Sequence, residues 1–324
     1  MSEAPTPLAW RTLAAWIRET RRVDDEHHRP ARALPGARSG RRRGPGRFVR
    51  PRLDRAVFVV GAPRSGTSFL GATFQALPDF SYHYEPPLAK ALARVAVEEG
   101  WSEPRWRRAA RALYGWLLCR HGEGDLRLAE KTPQNCFVVE RLARAFPDAR
   151  FVHIVRDGRD AALSYRDKPW LSSRLAGSGR RETGGYPLGP TPRFWVEPER
   201  RREFRETSDL HRCIWAWRRH TEAARAGLAA LAAGRSLTLR YETLVSDPAR
   251  EGRRLLDFLE LGDPAAREAA LAHLAGAHGR GVGRWRDELS RGESECVMAE
   301  AGGLLAELGY ASPGPQGVEA ESAR

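Results

Sequence analysis

The sequence predicts an α/β domain: an open parallel sheet flanked by helices, with further helical and loop additions. Three observations carry that prediction. Four short apolar runs, AVFVV (56–60), LRLAE (126–130), RFVHIV (150–155) and SLTLR (236–240), alternate with helix-patterned stretches, as in chains that build parallel sheets. The first run leads into VVGAPRSGTSFL (59–70), a glycine-to-glycine turn with the outline of a phosphate-binding loop. A length of 324 residues, with 41% hydrophobic and 29% charged content, suits a soluble globular chain able to bury a substantial core.

In chain order, residues 7–22 (PLAWRTLAAWIRETRR) set Leu8, Leu13, Trp16 and Ile17 at helical spacing with arginines opposite. Such a helix either packs on the domain, the favoured reading, or makes a weak contact with an anionic membrane. Residues 29–52 are rich in Pro, Gly and Arg without periodicity and read as a linker. Aromatic residues are nearly absent there, which argues against a dedicated nucleic-acid arm. The α/β domain is expected over 53–311, with a disordered tail at 312–324.

Within the domain, AVFVV has the continuous apolar character of a buried parallel strand. The helix after it carries Phe69, Leu70, Thr73, Phe74 and Leu77. LRLAE is followed by a helix, FVVERLARAF, that ends at Pro147, and RFVHIV by a helix around RDAALSY. Residues 209–233 read as one helix stopped by Gly234. After SLTLR comes a helix capped by Asp247 and opened by Pro248. Residues 171–207 are long and turn-rich, as functional lids and disordered insertions are.

The net charge is +13, carried almost wholly by arginine; Lys90, Lys131 and Lys168 are the only lysines. Both composition bias and a field attracting an anionic ligand account for it. The four cysteines are scattered and read as reduced thiols, and no His/Cys group has metal-ligand spacing. No apolar run approaches the roughly 20 residues of a bilayer span. The N-terminus lacks the order of a secretory signal, so a cytoplasmic location is expected.

Polar chemistry follows each predicted strand at its carboxyl end: Arg64 to Ser68, Lys131, Arg156 and Tyr241. In open parallel sheets, ligands bind in that crevice. Gly61 and Gly66 permit a tight turn, and Ser65, Gly66, Thr67 and Ser68 offer successive N–H groups to an anion. Thr67 stands where a nucleotide kinase needs lysine, and no strand ends in an aspartate suited to Mg²⁺. The loop is therefore suited to a phosphate-like anion handled without a metal. Arg156 and, eight residues on, Ser164 are placed to grip one phosphate from two sides. Alternatively, Arg156 pairs with Asp157 or Asp160.

The blocks GAPRSGTSFL, EKTPQN, VRDGRDAALSY, LRYETLVSDP and GRGVGRWRDEL, in this order over about residues 55–290, resemble the PAPS-dependent sulfotransferases. PAPS is 3′-phosphoadenosine 5′-phosphosulfate. The stretch RSGTSFLGATFQALPDFSYHYEPP is most similar to bacterial and carbohydrate sulfotransferases, which have an acidic residue soon after the loop. Relatives acting on phenols and steroids carry lysine at the Arg64 position and a histidine after KT, where this chain has Thr132 and Pro133.

The resemblance implies that Arg64 to Ser68 bind the 5′-phosphosulfate and that Arg156 and Ser164 bind the 3′-phosphate. Phe69 and Tyr241 would lie near the nucleotide, and Arg280 with Gly281 would be a second 3′-phosphate contact. Sulfuryl transfer needs cations at the sulfonate and bridging oxygen, supplied by Arg64 and Lys131, and a base for the acceptor hydroxyl. Glu85 is the expected base, its pKa raised by burial. His83 is expected to face the other way along an extended segment, and Glu130 to orient Lys131. The first expectation for the acceptor is carbohydrate, with phenolic, lipid or natural-product hydroxyls as alternatives. A kinase, or a nucleotide-binding protein without turnover, is the competing class.

Overall fold

The structure, a computed structural model, describes residues 10–28 and 51–310. Leu8, nearly all of the 29–52 linker and the 312–324 tail lie outside the described residues. The four expected strands form, with a fifth between the first two. They are β1 (Val57–Val60), β2 (Phe80–Tyr84), β3 (Arg127–Lys131), β4 (Arg150–Val155) and β5 (Ser236–Arg240). Their order is β2-β3-β1-β4-β5, and every pairing is parallel. The unpredicted β2, FSYHY, alternates aromatics with Ser81 and His83, a pattern of half-exposure. Here Ser81 and His83 are buried as well, because a helix from the N-terminus covers that face.

Side chains alternate across the sheet, so β1 feeds two cores. Phe58 and Val60 join Trp106 and Tyr114 of α4 (Glu103–Arg120), Val139 of α5 (Val139–Ala145), and Ile214 and Trp215 of α8 (Asp209–Ala229). Val57 and Val59 join Leu70 of α2 (Thr67–Ala72) and Leu255 and Leu256 of α10 (Pro248–Phe258). The result is three layers, helix–sheet–helix, with the strand carboxyl ends along one edge. The helix expected over 209–233 stops at Ala229, ahead of Gly234. Asp247 caps α10 as expected, accepting from the Arg250 N–H.

Residues 171–207 form turns, short 3₁₀ segments and α7 (Arg201–Glu206). Phe194, Trp195 and Val196 of this segment are buried in the main core, and Leu188 is buried as well. It is a packed wall, held by the aromatic residues that its turn-rich composition concealed.

The N-terminal helix, α1 (Trp10–His27), packs on β2 and on α3 (Pro87–Val97). Trp16 and Val23 are buried, and Thr20 Oγ1 accepts from the Leu88 N–H at 3.1 Å. Asp24, 1% exposed, bonds His83 Nδ1 and His121 Nε2, each at 2.7 Å. Burial pushes the Asp24 carboxyl up, but the two imidazole bonds outweigh it and hold it well below the usual carboxylate range. A group depressed on folding stabilises above its unfolded pKa, near 4, and loses that contribution on acidification. That loss is complete only below the depressed folded pKa, so Asp24→Asn is expected to cost about 3 kcal/mol at pH 7 and less, though not nothing, at pH 3, read by urea denaturation at both. Equal stabilities at pH 7 would show that the network adds nothing to folding.

Candidate functional site

Between β1 and α2 the chain turns through Gly66 at φ 91°, and a Cβ there would lie 2.6 Å from the Tyr241 ring. Both the backbone conformation and the close approach require glycine. Arg64, also left-handed at φ 68°, donates from Nε to Ser164 Oγ at 3.0 Å. Ser164 is on α6 (Gly158–Arg166), whose first turn Asp157 caps. Arg156, at the end of β4, donates to the Arg64 carbonyl at 3.0 Å and to the Gly281 carbonyl. Its guanidinium carbon is 4.6 Å from the centre of the Tyr241 ring.

Among the described residues, neither Arg64 nor Arg156 makes an ion pair. Asp157, a possible partner of Arg156, instead pairs with Arg159 at 2.7 Å. Asp160 accepts the N–H groups of Gly283 and Trp285 at 2.6 and 3.0 Å, fixing the late glycine-rich turn against the loop. The Ser65 hydroxyl and Arg156 Nε are buried without a hydrogen-bond partner. Two arginines without counter-ions and two orphaned polar atoms around one turn suit a phosphate-bearing ligand.

Arg64, Gly66, Thr67, Ser68, Phe69, Arg156, Ser164, Tyr241 and Gly281 line a single cleft of about 320 Å³. Ser65 lies buried beneath the loop. Arg280 is exposed and stands outside the cleft, so the expected Arg280–Gly281 pair splits. Reasoning from the sequence missed Gly276, Ala277, His278 and Arg284, which close the far wall. These residues have no strand end to mark them. Phe69 stacks on His273 with ring centres 4.9 Å apart, and Tyr241 Oη donates to the His278 carbonyl at 3.3 Å.

Ser68 links this cleft to a buried charged group. Lys131, fully buried at the end of β3, donates to Ser68 Oγ at 2.9 Å and also binds Glu85 Oε1. It sits 4.0 Å above the Tyr84 ring. Glu85 follows β2 at φ 41°, a conformation rare for a residue with a Cβ, and its N–H donates to the Lys131 carbonyl at 2.8 Å. Its other oxygen, Oε2, is 2.7 Å from Lys90 Nζ. The expectation of a raised Glu85 pKa is corrected: burial pushes it up, but Lys131 and Lys90 outweigh burial and hold it well below the usual range. Lys90 was singled out only as one of three lysines, because its ion pair with Glu85 bridges a turn of the chain.

The other base candidates face elsewhere. His83 is fully buried against Asp24. Strand alternation alone would set it on the same side as Glu85, and the left-handed backbone of Glu85 just after β2 turns that carboxylate to Lys131 instead. Glu130, expected to orient Lys131, instead accepts from Thr132 Oγ1 and from Asn135 Nδ2, the latter at 2.5 Å. Successive β3 side chains point to opposite faces, which separates the two. Burial lifts the Glu130 carboxyl to about 8.

Two groups of His and acidic residues lie close enough to share a ligand, Asp24–His28–His121 and Glu203–His211–Glu300. Neither includes a residue of the cleft. Among the described residues, no helix is long and apolar enough to cross a membrane.

The sulfotransferase family model matches residues 56–174 and 196–264, more than half of the chain. Protein-tyrosine sulfotransferase 1 of Danio rerio is 26% identical over 221 residues, covering 63% of this chain and 53% of that protein. The protein-tyrosine sulfotransferase of Drosophila melanogaster is 22% identical over 218 residues, covering 63% and 38%. This chain thus spans about half or less of the length of these relatives. Among solved structures, a sulfotransferase of Mycobacterium avium aligns over 95% of this chain and 87% of its own, with a TM-score of 0.50 and 17% identity, a likeness of fold. With the family match extending from β1 through β5 and into the following helices, the chain belongs to the sulfotransferase family.

Proposed function

We propose that the protein transfers a sulfuryl group from PAPS to an acceptor hydroxyl. The observation that carries this reading is the convergence, at the carboxyl ends of β1 to β4, of Arg64, Arg156 and Ser164 with the Lys131–Glu85 pair, Lys131 fully buried. Arg156 and Ser164 hold the 3′-phosphate, and the 65–68 N–H groups with Arg64 hold the 5′-phosphosulfate. Phe69 and Tyr241 flank the nucleotide, and Gly281 supplies a close backbone approach beside Arg156.

In the reaction, the acceptor oxygen forms a bond to sulfur as the sulfur–oxygen bond to the 5′-phosphate breaks, leaving 3′,5′-ADP. Glu85 takes the hydroxyl proton. Lys131 and Arg64 neutralise charge on the departing oxygen and the sulfonate. The depressed pKa of Glu85 keeps it ionised at neutral pH, and drawing Lys131 toward the donor raises its basicity as the donor binds.

For the acceptor, a tyrosyl hydroxyl now stands beside carbohydrate, because curated relatives are named protein-tyrosine sulfotransferases. Residues 175–195, which the family model leaves unmatched, contain Thr183, next to Lys90. This stretch accordingly forms part of the acceptor side.

Thermal-shift titration tests the donor reading: 3′,5′-ADP without Mg²⁺ is expected to raise Tm by several degrees at 100 times its Kd. A preference for ATP with Mg²⁺ would favour a kinase instead. Radiolabelled PAPS offered with tyrosyl peptides and with oligosaccharides then separates the acceptor classes.

A further inference from the structure

Glu85 is held from two sides. Lys131 binds one carboxylate oxygen and reaches Ser68 of the donor loop at 2.9 Å. Lys90, on the first turn of α3, binds the other oxygen at 2.7 Å and donates to Thr183 Oγ1 at 2.9 Å. Thr183 belongs to the 175–195 stretch that the family model does not match. Its neighbour Glu182 pairs with Arg193 at 3.2 Å, and Arg193 is itself 3% exposed, so this anchor is rigid.

We infer that Lys90 is a positioning residue for Glu85: it holds the acceptor-side oxygen of the carboxylate and, through Thr183, ties it to the wall against which the acceptor lies. The inference rests on the reading of Glu85 as the base. A carboxylate oxygen offers about two lone-pair directions. Lys90 occupies one on Oε2 and leaves the other for a hydroxyl. Without Lys90, Glu85 is restrained only through Lys131, a group whose charge the donor also claims.

The charged and titratable groups around Glu85 are Lys131 and Glu130 on β3, Tyr82 and Tyr84 on β2, Lys90 on α3, Tyr165 on α6, and Glu182 beside Thr183. Among the described residues, only the two lysines bond the carboxylate. Burial pulls the Lys90 amine down, but Glu85 outweighs it and raises it, so the ammonium persists through neutral pH. Losing that cation moves the Glu85 titration upward, since an adjacent positive charge favours the ionised carboxylate.

The test follows the Glu85 side-chain carboxyl by ¹³C NMR in the complex with 3′,5′-ADP, assigned with Glu85→Gln, in the wild type and in Lys90→Met, Lys90→Arg and Thr183→Val. Lys90→Met is expected to raise the midpoint by about 1 pH unit or more, and Lys90→Arg by much less. An unchanged midpoint in Lys90→Met overturns the inference, as does an equal shift in Lys90→Arg.

Sulfuryl-transfer kinetics supply the second readout. Lys90→Met should lower kcat about tenfold or more with 3′,5′-ADP affinity unchanged. Thr183→Val should raise the acceptor KM several-fold with the pH profile of kcat unmoved. Wild-type KM in Thr183→Val removes the tether. Should Lys90→Met fail to fold, Lys90→Arg and Thr183→Val still decide the outcome: a large loss of kcat in Lys90→Arg, or wild-type acceptor KM in Thr183→Val, overturns the inference. If the wild type transfers sulfate to no acceptor, the activity reading has failed, while the carboxyl titration still decides whether Lys90 controls Glu85.

Discussion

Glu85→Gln is expected to lower kcat for sulfuryl transfer by about 10²–10⁴-fold, the usual contribution of a general base, while Kd for 3′,5′-ADP changes less than about threefold. The variant keeps the shape of the side chain and removes its ability to accept the proton. It also leaves Lys131 and Lys90 without their shared counter-ion, so a fall in Tm is expected and nucleotide binding must be measured alongside turnover. The pH profile distinguishes the alternatives further. A base at Glu85, held ionised by two lysines, leaves kcat flat from about pH 6 to 8. A base at Glu130, whose carboxyl lies near 8, must lose its proton to act, so kcat would climb tenfold per pH unit below about 8. Persistent transfer in Glu85→Gln with a limb near 8 would move the chemistry to Glu130.

Arg156→Ala is expected to weaken 3′,5′-ADP binding by about 10- to 100-fold, the range for a charge-assisted contact of about 1.5–3 kcal/mol, while 5′-AMP binding changes little. The comparison matters because Arg156 also has structural work. It bonds the carbonyls of Arg64 and Gly281 and covers the Tyr241 ring, so its loss loosens both the loop and the late glycine turn. Calorimetry with the two nucleotides separates the roles. Loss of affinity confined to 3′,5′-ADP assigns the 3′-phosphate to Arg156. Equal loss for both ligands would falsify that assignment and leave Arg156 as a scaffold.

Much of the sheet was legible because β1 and β4 are buried on both faces, and full burial writes itself as an uninterrupted apolar run. Edge strand β2 was not legible: Ser81 and His83 look like solvent-facing positions, and only the docking of α1, with Asp24 beneath His83, makes burial tolerable there. The cleft was legible where its residues sit at strand ends. The wall formed by Gly276 to His278 and Arg284 was not, because it comes from the loop after the helix Pro264–Ala275, held by Tyr241 Oη on the His278 carbonyl and, near Arg284, by Asp160 on Gly283 and Trp285. Arg280, expected in the cleft from its place beside Gly281, points to solvent.

The sequence by itself determined the α/β class, the loop with no kinase lysine, and the set of cations and hydroxyls that follow the strands. These are local properties: the side-chain period of a strand, the glycine a tight turn needs, and the polar residue at a strand's end. Only the tertiary structure decided the charge state of Glu85. Burial alone pushes a carboxyl upward, and that was the expectation. Two lysines from separate segments, α3 and the end of β3, reverse the sign because a buried carboxylate with two ammonium groups in contact is more stable ionised than neutral. That balance depends on distances between residues far apart in sequence, which no spacing along the chain encodes.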